Sequence, residues 1–374
     1  MKTIDKKLKV TIDLLLTKDV PSVFYSFPGE DHTCVVVQTE KIHFIQDIKD
    51  LCQRNGFIIA PFESVVSETA YFIRPDLFAC TDKGIDHVAE EAKALPDVKK
   101  IKDYAENHIA SQEEYLETAG YLIDKIKEGE VSKVVLSRVV KETLPKGFNI
   151  GEFYIKLRDQ YPNAFVYLFN IPDSGLWIGA TPETLIRQEA DGTVEIMSLA
   201  GTVLKPEGDW MIVWGDKERQ EQEYVSEYIR IVLSGLGIKD FKEFPPETIF
   251  AGHIAHLRTL FRVSPDAAAN MIGELVKRLH PTPAVCGLPK VDAFNFIEKA
   301  EVHDRKYYTG FLGPWNLDNK KQLFVNLRCA EINKDKIYLY VGGGLTAGSV
   351  PEKEWEETRQ KAQTLLSVLH DDQK

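Results

Sequence analysis

An apolar strand, Ile337 to Val341, runs into three consecutive glycines, Gly342, Gly343 and Gly344, and then into a helical stretch opening at Pro351. Glycines at a strand end pack poorly and admit a ligand or another backbone. Pro351 suits a first helical turn, with Ser349 as its candidate cap. Gly342-x-Gly344-x-x-Ala347 partly matches the dinucleotide fingerprint, but that fold needs a second parallel strand with an acidic end about 20 residues on. Here the pattern stays helical after Pro351 through to Lys374, so a doubly wound nucleotide-binding sheet is excluded.

The rest of the chain argues the same way. Strand-like runs fall at 34–37, 57–60 and 70–73, then at 133–141, 164–170, 175–179, 193–199, 307–312, 323–331 and 336–341. Helical periodicity marks 112–128, with Tyr115, Ala119, Leu122, Ile123 and Ile126 on one side, and also 217–236 and 266–280. Strands that follow one another without intervening helices indicate an α+β fold with antiparallel sheets. The charged stretch 86–103, which carries Pro96, is the candidate boundary between a variable part at 1–105 and a catalytic part at 106–374, within a single unit.

A 374-residue chain with 44% hydrophobic residues can bury a substantial core. Its net charge of −11 argues against nucleic acid and anionic membrane surfaces as partners. An acidic small molecule could still bind if a metal or a few placed cations offset the repulsion. Five scattered cysteines with no CxxC pair speak against a zinc site or a disulfide framework and for a reducing compartment. The N-terminal MKTIDKKLKVTIDLLL reads as an amphipathic helix, and no apolar run reaches the 18 or so residues of a membrane span, so a cytoplasmic location is expected.

Six segments carry polar groups that a purely structural chain would not favour. On the helix after Pro351, Glu354, Glu357 and Lys361 share a face; such a trio is ordinarily solvated, but also suits Mg²⁺ beside an anionic substrate. Lys133 opens the strand KVVLSR and is either an exposed lysine or a desolvated base. In GATPE, Thr181 and Pro182 resemble a helix start with Glu183 in its first turn; the rival reading is a general acid at a strand end. Gly201 and Thr202 end the small-residue run SLAGT, where a ligand can approach the backbone. Glu221 lies in the charge run KERQEQE, most of which must be solvated. His280 precedes PTPAVCG, whose prolines stiffen the loop that holds it.

Taken in order, KVVLSR, GATPE, SLAGT, KERQEQ, HPTPAVCG, YYTGFLG, LRCAEI and EWEETRQK resemble the chorismate-utilising enzymes, and within them the isochorismate synthases. The likeness runs from about Gln112 to Leu366. Ammonia-using relatives carry glutamine where this chain has Lys133 and a different loop at HPTPAVCG, so no glutamine amidotransferase subunit is expected. The resemblance implies two antiparallel sheets packed as a sandwich flanked by helices, with chorismate bound in a cleft between them. It implies Lys133 as the base for water attack at ring carbon 2 and Glu183 as the acid for the departing 4-hydroxyl. Glu221 and Glu357 would hold Mg²⁺, with Glu354 nearby through water. His280 would contact the ring carboxylate. Arg328, helped by Lys361 and the N–H groups of Gly342, Gly343 and Gly344, would grip the enolpyruvyl carboxylate, while Gly201 and Thr202 line the ring. A salicylate synthase, which eliminates pyruvate after the same step, is the alternative; the pathway served would be menaquinone or siderophore synthesis. Gln222 departs from the histidine common at its position.

Overall fold

In the strand at 165–171, Phe165, Tyr167 and Phe169 alternate with Val166 and Leu168, and both sets are buried. A strand that is apolar on both faces needs cover on both. Two facing sheets supply one cover and outer helices the other. The structure is a computed structural model and describes residues 3–40, 42–45, 54–64, 69–98, 108–172, 174–204, 212–251 and 254–371.

The chain begins with α1 (Thr3–Leu15), β1 (Ser22–Ser26), β2 (Cys34–Val37), β3 (His43–Ile45), β4 (Gly56–Ala60), β5 (Ala70–Ile73), β6 (Leu77–Ala79) and α2 (Asp82–Ala92). Next come α3 (Gln112–Lys127), β7 (Lys133–Thr143), α4 (Ile150–Gln160), β8 (Phe165–Ile171), β9 (Gly175–Thr181), β10 (Thr184–Gln188) and β11 (Val194–Leu204). They are followed by α5 (Asp216–Gly235), β12 (Phe241–Glu243), β13 (Glu247–Ala251), β14 (Ile254–Val263), α6 (Pro265–Ala268), α7 (Ile272–Leu279), β15 (Gly287–Leu288) and α8 (Lys290–Ala300). The last elements are β16 (Phe311–Leu317), β17 (Lys320–Val325), β18 (Cys329–Asn333), β19 (Lys336–Leu345) and α9 (Pro351–Leu369).

The first sheet has the order β15-β7-β19-β18-β9-β8-β1-β2-β6, and the second β12-β14-β11-β10-β17-β16-β4-β5-β3, with β13 beside β14. The pairings are antiparallel, from β7–β19 and β8–β9 in one sheet to β11–β14 and β16–β17 in the other. Strands of the first hundred residues are hydrogen-bonded into both sheets. Between the sheets lies an aromatic layer that includes Tyr25, Phe57, Phe165, Trp177, Tyr307 and Phe324. Phe165 and Phe324 stack across it with ring centroids 3.9 Å apart. Outside the first sheet, α1, α2, α4 and α9 bury Leu8, Val88, Leu157 and Leu365 against Val166, Leu168 and Ile178. On the second sheet, Val225 and Ile229 of α5 and Leu275 of α7 pack on Ile196 and Phe261. A third cover, α3 and α8, places Leu122 and Phe294 over Val134, Leu136 and Leu345. Each large apolar side chain so buried contributes about 1.5–3 kcal/mol.

α3 forms where its periodicity places it, with Tyr115, Ala119, Leu122, Ile123 and Ile126 buried; Ser111 and Glu114 close a reciprocal capping box at its start. Other expectations are corrected. The stretch 86–103 begins inside α2, which buries Ile85, Val88 and Ala92, and Asp97 pairs with Lys18; its remainder beyond residue 98 lies outside the described residues. The run 266–280 is two helices, α6 and α7, because Asn270 takes a left-handed conformation between them. The run 323–331 is two strands in different sheets. Val350, not Ser349, caps α9; the Ser349 hydroxyl accepts instead from the Thr346 N–H. Cys34 and Cys80 form a disulfide, contrary to the reading of scattered thiols. The neighbouring β2–β6 pair Val35 with Ala79 sets the two cysteines opposite one another, a proximity that their separation of 46 residues conceals.

Candidate active site

Two of the places where the chain crosses from one sheet to the other adjoin, and each of these two crossings carries a charged residue. Pro182 and Glu183 link β9 of the first sheet to β10 of the second. Residues 326–328 link β17 of the second sheet to β18 of the first, with Arg328 at φ 49°. The crossings are tied together. The Val325 N–H donates to the Glu183 carbonyl at 3.0 Å, the Ala180 N–H to the Arg328 carbonyl at 3.1 Å, and the Thr181 hydroxyl to the Val325 carbonyl at 2.6 Å. Strand geometry therefore fixes both residues at the rim of one cavity, which Glu183 and Arg328 both line.

Thr181 ends a strand here and does not start a helix, so no helix dipole acts on Glu183. Burial pushes its carboxyl up to about 8, against the opposing pull of Lys133, Lys361 and Arg328. Lys133, at the first residue of β7, is 2% exposed and lines the same cavity. Burial pushes its ammonium below the ordinary range, with Glu221 the chief opposing charge. Two glycines make room for this lysine. A Cβ on Gly344 would stand 2.7 Å from Lys133 Cε, and one on Gly287, at φ +143°, would stand 2.1 Å from the Lys133 carbonyl oxygen. The loop HPTPAVCG thus serves to bring β15 against β7, where Gly287 pairs with Val134.

His280 is the correction among the binding residues. It does not line the cavity; its ring packs edge-on against Phe311 with centroids 4.9 Å apart. Burial, then the charge of Lys290, pushes its pKa down to about 3. The histidine in the cavity is His256 on β14. Its Nδ1 lies 2.9 Å from the Gly201 carbonyl, an acceptor only, so Nδ1 carries the proton. Nε2 is left as an acceptor facing the Arg328 guanidinium at 3.5 Å. Burial and then Arg328 push His256 down to about 3. In the sequence His256 stands in an ordinary alternating strand, and its only signal is a polar residue at an inward position. Tyr308 and Thr309 also line the cavity, from the motif YYTGFLG. Gly201 and Thr202 do so from β11.

The remaining wall comes from two helices and the glycine strand. Glu221 of α5 and Glu357 and Lys361 of α9 line the cavity with Gly342, Gly343 and Gly344. Lys361 Nζ donates to the Gly342 carbonyl at 2.9 Å and meets Glu357 Oε1 at 2.6 Å. Burial is the largest influence on the Glu357 carboxyl and raises it, but Lys361, Lys217 and Arg328 together hold the group below the ordinary carboxylate range. Burial raises Glu221. Gln222, in place of the usual histidine, donates to the Ser198 carbonyl and hydroxyl and to the Thr259 hydroxyl, so its amide ties α5 to β11 and β14.

An oxygen-only donor set of carboxylates suits a hard cation such as Mg²⁺. The residues present fit it. Glu354 Oε2 is buried without a hydrogen-bond partner, and a Cβ on Gly343 would lie 3.2 Å from that atom and 3.8 Å from Glu357 Oε1. The glycine leaves open the space between the two carboxylates, with Glu221 Oε1 3.8 Å from the equivalent point on Gly344. Lysines still stand among these groups, and among the described residues no three such ligands are drawn into a ready cage.

The chain is similar to known proteins over much of its length. The isochorismate synthase EntC of Escherichia coli (strain K12) is 30% identical over 247 residues, 64% of this chain and 63% of that protein, so the chain covers less than two thirds of that relative. Among solved structures, one described as the 2,3-dihydroxybenzoate-specific isochorismate synthase DhbC from Bacillus anthracis superposes with a TM-score of 0.76 at 24% identity, covering 96% of this chain and 99% of that one. MenF, the menaquinone-specific isochorismate synthase from Escherichia coli, gives 0.74 at 22% identity, covering 99% and 91%. These likenesses show the shared fold. A family model described as "Chorismate binding enzyme" matches residues 54–370. Because that span takes in both sheet crossings, the glycine strand and the two carboxylate helices, this chain belongs to the chorismate-binding enzyme family.

Proposed function

We propose that this chain isomerises chorismate to isochorismate. The observation that carries the reading is the pair Lys133 and Glu183, two fully buried groups on one cavity whose ionisations are displaced toward each other. Such a pair can coexist as a neutral amine and a protonated carboxyl, the forms a base and an acid need at neutral pH. Lys133 takes a proton from the water that attacks ring carbon 2. Glu183 gives its proton to the 4-hydroxyl as that bond breaks, so one water enters, one leaves, and the product is an isomer. Arg328 holds the enolpyruvyl carboxylate in its planar fork, with Lys361 and the N–H groups of the glycine strand beside it. Gly201 and Thr202 offer a close backbone wall to the ring. Glu221 and Glu357 would hold Mg²⁺, with Glu354 through water. When bound, that ion neutralises and orients the ring carboxylate.

Chorismate mixed with the protein and Mg²⁺, followed by product identification, tests this. Isochorismate is the expected product. Salicylate and pyruvate appearing without an added lyase would shift the assignment to salicylate synthase, and absence of turnover at any Mg²⁺ concentration would overturn it.

A further inference from the structure

Lys217 is a cation placed where a helix does not favour one. It sits in the first turn of α5, whose dipole repels positive charge, and no side chain caps that end. Carboxylates hold it there. Its Nζ lies 2.7 Å from Glu354 Oε1 and 3.8 Å from Glu221 Oε1. The oxygen it engages belongs to a carboxylate that is 1% exposed and whose other oxygen is unpartnered. Lys361 is bound differently, being held by Glu357 and by the Gly342 carbonyl together, and its side chain is half as exposed as that of Lys217, 16% against 32%. Of the two ammonium groups Lys217 is therefore the one held by side-chain carboxylates alone among the described contacts, and the more exposed to solvent.

A divalent cation entering beside the free Glu354 Oε2 meets the Lys217 ammonium on the other oxygen of the same carboxylate and is repelled by its charge. On the proposed reading of this site as a Mg²⁺ site, we infer that Lys217 is a tethered counter-ion that holds Glu354 and Glu221 together without metal and must swing out when Mg²⁺ binds. A device of this kind keeps three buried carboxylates from repelling one another in the free protein. It also makes metal uptake weak until the substrate's carboxylate adds its negative charge, which couples the two binding events. Lys217 is thus a positioning residue and touches no reacting atom.

Calorimetric titration of Mg²⁺ alone into the full chain, without chorismate, measures this directly. Lys217→Met should bind Mg²⁺ more tightly than wild type by on the order of tenfold or more, the scale of a charge-assisted hydrogen bond lost to competition. Lys217→Arg, which keeps the charge, should stay as weak as wild type. Thermal melts without metal establish that each variant is folded, and Lys217→Gln replaces Lys217→Met if the latter is not. Unchanged or weaker Mg²⁺ affinity in the folded neutral variant overturns the inference. Failure of every protein to take up Mg²⁺ even with chorismate present overturns the metal reading as well, whereas the isomerase reading is judged separately by the product formed.

Discussion

Glu183 holds its proton at neutral pH because the chain removes it from water without supplying enough positive charge to compensate. With its carboxyl raised to about 8, the acid is present at neutral pH and is lost as pH rises through that value. The kcat/KM profile should therefore fall on its alkaline side near pH 8. Glu183→Gln should lose about 10²–10⁴-fold in rate and show no such limb in its residual activity. Stability has the opposite sign to an ordinary carboxylate. The folded form keeps the proton between the ordinary carboxylate value of 4.5 and about 8 while the unfolded chain releases it, so this group's contribution to stability declines across that window. Glu183→Gln should be more stable than wild type at about pH 9, by about 1–3 kcal/mol, and the gap should close toward about pH 5. Urea denaturation at the two pH values measures it; equal stabilities at high pH would mean that the carboxyl is not raised.

At the scale of the element, β19 is a strand whose three glycines do different jobs. A Cβ on Gly342 would stand 2.9 Å from the Leu136 carbonyl oxygen and 2.8 Å from the Tyr308 hydroxyl. The carbonyl belongs to the β7 partner strand and cannot move without breaking the pairing, so Gly342→Ala should cost about 1–3 kcal/mol of stability. On Gly344 the same atom meets the outer part of the Lys133 side chain, which can shift. Gly344→Ala should melt nearly as wild type and lose most of its turnover, as seen by comparing thermal melts with assays. Arg305 positions β7, the partner strand of β19. It donates to the Val135 and Val285 carbonyls and the Thr309 hydroxyl and forms a buried pair with Glu301, which in turn accepts from the Ser137 N–H. Arg305→Met leaves that carboxylate uncompensated and should destabilise by about 3–5 kcal/mol in denaturant.

Across the whole molecule, what could be read from sequence is what a local segment decides by itself. The α3 face, the shared face of Glu354, Glu357 and Lys361, and the order of motifs needed no distant partner. Thr181, Pro182 and Glu183 were ambiguous because they read locally as a helix start; only the pairing of β10 with β17 turns them into a sheet crossing. His256, the disulfide and the break at Arg328 all depend on which strands become neighbours, and His280 misled because a rigid loop served packing. The −11 net charge acts at this same scale, with one further consequence. A dianionic substrate meets long-range repulsion from the chain as a whole and, inside the cavity, attraction from buried Arg328 and half-buried Lys361. Salt screens exposed charges beyond about 8–10 Å and buried ones much less. At fixed Mg²⁺, kcat/KM should therefore rise modestly between about 0.01 and 0.15 M monovalent salt. A steep fall over that range would mean that the approach to the cavity is positive despite the acidic whole, and that capture is steered by exposed cations near its mouth.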